Sequence, residues 1–411
     1  MRRHTVALVT LADLAGVTTP AVRVRELARS LARPAAEGGP GHRVTVYTRR
    51  QDPAARSRSR LTSGAALRLL DAGPAAPLEE NAELDHVGDL ADALRRAWTG
   101  AARPDVVHAH GWIAGMAACA VARELEIPFV LSYHGLAAGE RRAGRPVHPA
   151  RMRMEATLGK SAALVLAAHA AEAEALARMG VPRTALRVLP LGVDDERFTP
   201  EGPAAPRRGR PRLLVLPRRL DDGGAEDAIR ALVHLPDAEL VIAGGPEAEE
   251  LGTDPAVHHL TLLAKELHVA DRVEFAGAVA PRALPKLLRS ARLLLNLSPT
   301  LPVPETAVAA MACGVPVVTT PAGANADSVL SGITGLHVPA SRPAAVGRTL
   351  RRLLADETTL HGWSIAAVDR ARSRYGWGRI AAETARAYDR VLPEPEPEPE
   401  AEPELVEALA S

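Results

Sequence analysis

Short apolar runs recur along the chain, and the stretches between several of them are apolar at every third or fourth position. TVALVTL (5–11), RVTVYT (43–48), DVVHAH (105–110), PFVLSYH (128–134), ALVLAA (163–168) and ALRVLPLG (185–192) have the length and branching of strands. VRELARSLA (24–32) and EAEALARMG (172–180) repeat with helical period. Strands that are apolar throughout, alternating with helices, predict a parallel sheet covered on both faces.

The rhythm breaks at FTPEGPAAPRRGRPR (198–212), a Pro-, Gly- and Arg-rich stretch that reads as a linker. It restarts with RLLVLP (212–217), AELVIAGG (238–245), RVEFAG (272–277), ARLLLNLS (291–298) and VPVVTT (315–320). The expected organisation is a doubly wound domain over 1–195 and a second over 205–375. A segment at 376–392 should return to the first domain, and 393–411 is an acidic, Pro-rich tail that reads as disordered. Residues 53–62 read as an exposed loop.

Composition narrows the classes. The 411 residues exceed one ordinary core, and 47% are apolar, which supports packed domains. The formal net charge is +1, so no global field draws the chain to nucleic acid, and no nucleic-acid motif appears. Of the 50 basic residues, 47 are arginine and three are lysine (Lys160, Lys265, Lys286). Cys119 and Cys313 stand far apart in apolar surroundings, which points to a reduced, cytoplasmic protein. MRRH followed by VALVTL is too short for a signal sequence, and no apolar run is long enough to span a membrane. His108 and His110, two apart, share one face of a strand and lack a third partner for a metal.

In order along the chain, VRELARSLA with GHRVTVYTRR, PDVVHAHGWIAG, SYHGLAAGERR, ALRVLPLGVDDERFTP, EDAIRAL, VIAGGPE, VEFAGAV, MACGVPVV with TGLHVP, and YGWGRIAAETARAYDRVL resemble family 4 of the GT-B glycosyltransferases. This is the group that includes sucrose-synthase-like and inositol-phosphate-glycosyltransferase-like enzymes. The resemblance covers residues 4–392. It implies two Rossmann-like domains facing a central cleft, with the acceptor on the first domain and the nucleotide on the second. It also implies a C-terminal helix crossing back to the first domain. The implied activity is retaining transfer of a hexose-class sugar from a donor such as a UDP- or GDP-sugar to an unspecified acceptor, without metal or other cofactor.

The resemblance also assigns residues. His134 matches the histidine beside the reacting sugar, and Arg219 the arginine that forks onto the diphosphate. Read from the residues themselves, His110 lies on the same cleft edge as a structural or acceptor contact, and Glu305 is a carboxylate that a shifted loop brings within reach of the sugar. Arg218 should point away from Arg219.

Elsewhere the family residues are missing. Thr18 and Thr19 stand at two loop glycines, and Gly223 at a lysine. Leu301 and Ala309 replace a glutamate pair separated by seven residues, and Pro304, which has no N–H, replaces a glycine. At about 1.5–3 kcal/mol for each hydrogen bond to a charged group, these losses total about 5 kcal/mol or more of donor binding. Two readings follow. One is a family-4 glycosyltransferase. The alternative is a catalytically impaired pseudo-glycosyltransferase that acts by binding. Peripheral membrane contact and oligomeric state stay open in both.

Overall fold

The computed structural model describes residues 3–16, 18–207, 209–217, 219–299 and 304–393. Arg218, Leu301 and the tail beyond Pro393 lie outside the described residues.

Eight strands form the first sheet: β1 (Thr5–Thr10), β2 (Arg43–Arg49), β3 (Arg58–Arg60), β4 (Ala65–Leu70), β5 (Val106–His110), β6 (Phe129–Ser132), β7 (Leu164–Ala167) and β8 (Leu186–Val188). Their order is β3-β4-β2-β1-β5-β6-β7-β8, and every pairing is parallel except β3 with β4. The second sheet holds β9 (Arg212–Val215), β10 (Glu239–Ala243), β11 (Val273–Gly277), β12 (Leu293–Asn296), β13 (Val317–Thr319) and β14 (Gly335–His337). Its order is β11-β10-β9-β12-β13-β14, parallel throughout. The two domains are thus each a doubly wound α/β sheet. All residues of β5, β6, β7, β9, β10 and β12 are buried, which is why these strands are mostly apolar.

Three readings from sequence need correction. The stretch 53–62 is not only loop, because Arg58–Arg60 forms an exposed strand antiparallel to β4. Strands β4 and β14 were not anticipated. β4 is exposed or half-buried except at Ala65 and Leu70, and β14 is three residues long, so neither carries a clear apolar run. The linker ends one residue early. Arg212 opens β9, with its guanidinium buried against Glu239 (2.7 Å) and Ser290 (2.9 Å).

The helix Trp377–Asp389 packs against the helix Thr19–Ala32 of the first domain. Ile380, Ala381, Ala385 and Tyr388 join Val6, Leu8, Leu27 and Val46 in one apolar cluster. Full burial of a side chain such as Ile380 is worth about 1.5–3 kcal/mol. Trp377 approaches the chain so closely at Gly192 that a Cβ there would lie 2.4 Å from the indole. Only glycine fits that contact.

In both sheets the strand order reverses beside the first strand, between β1 and β5 and between β9 and β12. Such switch points leave a crevice at the carboxyl ends of the strands. The loops discussed next leave from those ends.

Candidate active site

His110 closes β5, and His134 follows β6 by two residues. His134 adopts φ 61°, followed by Gly135 at φ 118°. A non-glycine residue in the left-handed region is uncommon and costs about 1–3 kcal/mol, which the contacts around it must offset. This backbone turn brings His134 Nε2 to 3.1 Å from His110 Nδ1, with the rings stacked at 5.2 Å.

His108 sits beneath this pair, its ring 4.1 Å from that of His110. It does not reach the cleft. Ser132 Oγ donates to the Leu166 carbonyl (3.2 Å), so it accepts from His108 Nε2 (3.0 Å). His108 Nδ1 therefore accepts from the Tyr388 hydroxyl at 2.8 Å. His108 is 1% exposed and His110 3%. Burial, with the Arg23 charge adding to it, lowers the His108 pKa to about 3. Burial first, then neighbouring His108, His134 and Arg23, hold His110 well below the ordinary histidine value. Burial and Arg23 do the same for His134. At neutral pH the stack is uncharged, and each ring offers one N–H and one lone pair.

Arg219 lies across from this stack. His110, His134, Trp112 and Glu83 line one side of a cavity of about 1050 Å³, and Arg219, Asp221 and Asp222 line the other. The two histidines come from the first domain and Arg219 from the segment after β9. Arg219 is exposed, and its fork is engaged by Asp221, at 2.8 Å through Nε and 2.6 Å through the terminal nitrogen. The other arginines on this cavity are also paired. Arg145 meets Glu140 (2.9 Å), and Arg151 meets Glu80 and Glu155 (both 2.9 Å). Burial pushes the Glu83 carboxyl up to about 7, against the pull of Arg49.

Glu305 does not share the cavity of Arg219. It stands in the first turn of the helix Pro304–Ala312 and lines a second cavity of about 590 Å³. His134 lines both cavities and so marks their junction. Along the second cavity the domains touch: the Ala170 N–H, at the start of the helix Ala170–Arg178, donates to Asp327 at 2.7 Å.

The substituted positions have distinct local reasons. Thr18 is extended (φ −63°, ψ 151°) and Thr19 begins a helix, so this loop does not need glycine. Gly223 has φ 82°, a left-handed conformation that a lysine would adopt only with strain. Ala309 is 5% exposed within an apolar cluster that includes Leu294, Met311 and Val317. Leu301 lies outside the described residues. Burial raises the Cys313 thiol to about 11, which leaves it a protonated core residue. Among the described residues, no three His, Cys, Asp or Glu side chains form a metal-binding group.

Arg23 and Asp221 were not anticipated. Arg23 was hidden among many arginines, although its i, i+4 relation to Leu27 puts it on the apolar face of its helix. A lone arginine on such a face was the available clue. Asp221 gave none, because its pairing depends on a local turn.

Two opposed Rossmann-like domains with a site between them define the GT-B class of glycosyltransferases. The sequence carries the family. Residues 20–197 match Glycosyltransferase Family 4, and residues 202–370 match Glycosyl transferases group 1. A D-inositol 3-phosphate glycosyltransferase of Frankia alni is 30% identical over 392 residues, covering 90% of this chain and 94% of the relative. Sucrose-phosphate synthase from Thermosynechococcus elongatus superposes with a TM-score of 0.78 at 21% identity, over 94% of this chain and 99% of that one. Anabaena HepE in complex with UDP does so with a TM-score of 0.72 at 16% identity, over 94% and 100%. The chain belongs to glycosyltransferase family 4.

Proposed function

We propose that the protein transfers a hexose-class sugar from a nucleotide-sugar to an acceptor hydroxyl, with retention at the anomeric carbon. In this reading residues 1–195 hold the acceptor, 205–375 hold the nucleotide, and 376–392 tie the two together. The bond from the anomeric carbon to the diphosphate oxygen breaks. The acceptor oxygen takes its place, and the acceptor proton leaves with the diphosphate. Arg219 meets the developing charge once it turns from Asp221 to the phosphates. His134 orients the sugar, His110 fixes His134 through their 3.1 Å contact, and Glu305 accepts from a sugar hydroxyl. The reading includes no metal and places the protein in the cytoplasm. Among the described residues no helix is long and apolar enough to cross a membrane.

The observation that carries the proposal is the shared cavity between His134 and Arg219, contributed by opposite domains. A nucleotide-sugar named in a neighbour's structure, UDP-glucose with Anabaena HepE, fits the same donor class. Thermal-shift screening with UDP, GDP, ADP and TDP tests it. Selective stabilisation by one base, followed by release of that diphosphate from its sugar conjugate, is the expected result. A binding protein without turnover is the second reading. It is favoured by Ala309, whose place in an apolar cluster leaves no carboxylate for ribose hydroxyls. Binding without diphosphate release in the presence of a broad acceptor panel would select it.

A further inference from the structure

The second cavity contains a charge that the proposed reaction has not used. Arg23 is 5% exposed and lines this cavity with His134, Glu305 and Asp327. Among the described residues its guanidinium makes one hydrogen bond, to the Leu189 carbonyl at 3.3 Å. A guanidinium has five N–H donors, so most of its capacity has no protein acceptor. The carboxylates of Glu172 and Glu305 act on it through space, opposing the lowering of its pKa by burial. Glu172 is itself engaged by the Ala168 N–H at 2.5 Å. A buried fork with open donors on a cavity wall is costly to leave unmatched and well suited to an anion.

We propose that Arg23 binds the diphosphate of the sugar donor from the first-domain side, supplying the charge that Gly223 leaves out. This rests on the donor reading above. Three observations choose the diphosphate. Most of the second-domain wall of this cavity comes from segments that follow β12 and β13, where a ligand docks in such sheets, and Arg370, Arg374 and Tyr375 complete it. His134, at the junction of the cavities, puts Arg23 next to the reacting sugar. Arg145, Arg151 and Arg219 already face carboxylates, Arg370 on this cavity is engaged by the Asp327 and Ser328 carbonyls, and Arg374 is exposed, whereas Arg23 is buried with one hydrogen bond and no ion-pair partner among the described residues. A guanidinium forks onto two phosphate oxygens, and low exposure strengthens the contact.

Calorimetric titration of the full chain with pyrophosphate tests the assignment. R23Q should weaken binding by roughly tenfold or more, the loss expected for one charge-assisted contact. R23K should weaken it less, because it keeps the charge and loses the fork. E305Q should tighten it, since a carboxylate facing Arg23 is removed. An Arg23 with a purely structural role would lower the melting temperature of R23Q and leave the dissociation constant unchanged. Should R23Q fail to fold, R23K and E305Q decide, and unchanged affinity in both overturns the proposal. Dependence on Arg23 for glucose 6-phosphate but not for pyrophosphate would also overturn it. Nucleoside diphosphate binding that ignores Arg23 removes this proposal alone. Pyrophosphate binding through Arg23 with no nucleoside diphosphate binding removes the donor reading and leaves an anion site.

Discussion

His110 Nδ1 and His134 Nε2 stand 3.1 Å apart, at the ends of neighbouring strands of one sheet. One nitrogen must donate and the other accept, so the contact needs at least one neutral ring. Beneath them, the Tyr388 hydroxyl fixes the tautomer of His108 from the C-terminal helix. The cleft wall is therefore joined by hydrogen bonds and ring contacts to a residue at the far end of the chain.

Acid should loosen this stack. A histidine whose pKa is lowered on folding binds fewer protons folded than unfolded. Its contribution is complete above about pH 6.5 and is lost as pH falls toward the folded value, which for His108 is about 3. Glu83 works in the opposite direction, because its raised value of about 7 means the folded form holds a proton where the unfolded form does not. The three stacked histidines against Glu83 leave a net loss of about 2 kcal/mol between pH 6.5 and 5.5. Urea melts at pH 6.5 and 5.5 should show this fall. Imidazole NMR resonances that titrate near 6.5 for all three stacked histidines would refute it.

Position 134 should separate activity from stability. His134→Gly removes both the imidazole and the left-handed strain, whereas His134→Ala removes only the imidazole. The glycine variant is expected to be more stable than the alanine variant by about 1 kcal/mol. Both should lower diphosphate release by roughly 100-fold or more. Equal melting temperatures for the two would contradict the strain at φ 61°.

Single restorations of family residues should destabilise the protein. Ala309→Glu places a carboxylate in an apolar cluster and should cost about 3 kcal/mol. Gly223→Lys must adopt φ near 82° and should cost about 1 kcal/mol. Chemical denaturation of each variant reads these values, and an Ala309→Glu protein as stable as the parent would show that the helix face can turn toward the cleft.

Freeing Arg219 should favour the anion. Asp221→Asn removes the carboxylate that occupies the fork. Both partners are exposed, so the melting temperature should not move. Pyrophosphate affinity should rise a few-fold, and unchanged affinity would place Arg219 outside the diphosphate site.

Tyr388→Phe keeps the ring and deletes the hydroxyl that His108 accepts from. Leaving that buried nitrogen unpaired should cost about 1–3 kcal/mol. The measurement is again denaturant unfolding, with activity followed in parallel. A loss of stability with full activity would confine Tyr388 to the fold.

The strands on either side of the switch points were legible because burial on both faces requires apolar residues along the whole strand. The relation is local, so it can be read from a few consecutive residues. The short edge strands β3, β4 and β14 escaped for the same reason, since a half-exposed or three-residue strand need not be apolar. His134 and Arg219 were legible through the motifs around them, and their arrival at one cavity agrees with strands that end at a switch point. The sequence by itself determined two parallel α/β domains and the absence of acidic groups at positions 301 and 309. Tertiary structure alone decided the rest. Tyr388 meets His108 across 280 positions of sequence, and Arg23 faces a cavity completed by the other domain. A side chain's partner in such cases is set by which helices and sheets pack together, and hydrophobic period carries no information about which charged groups that packing brings face to face.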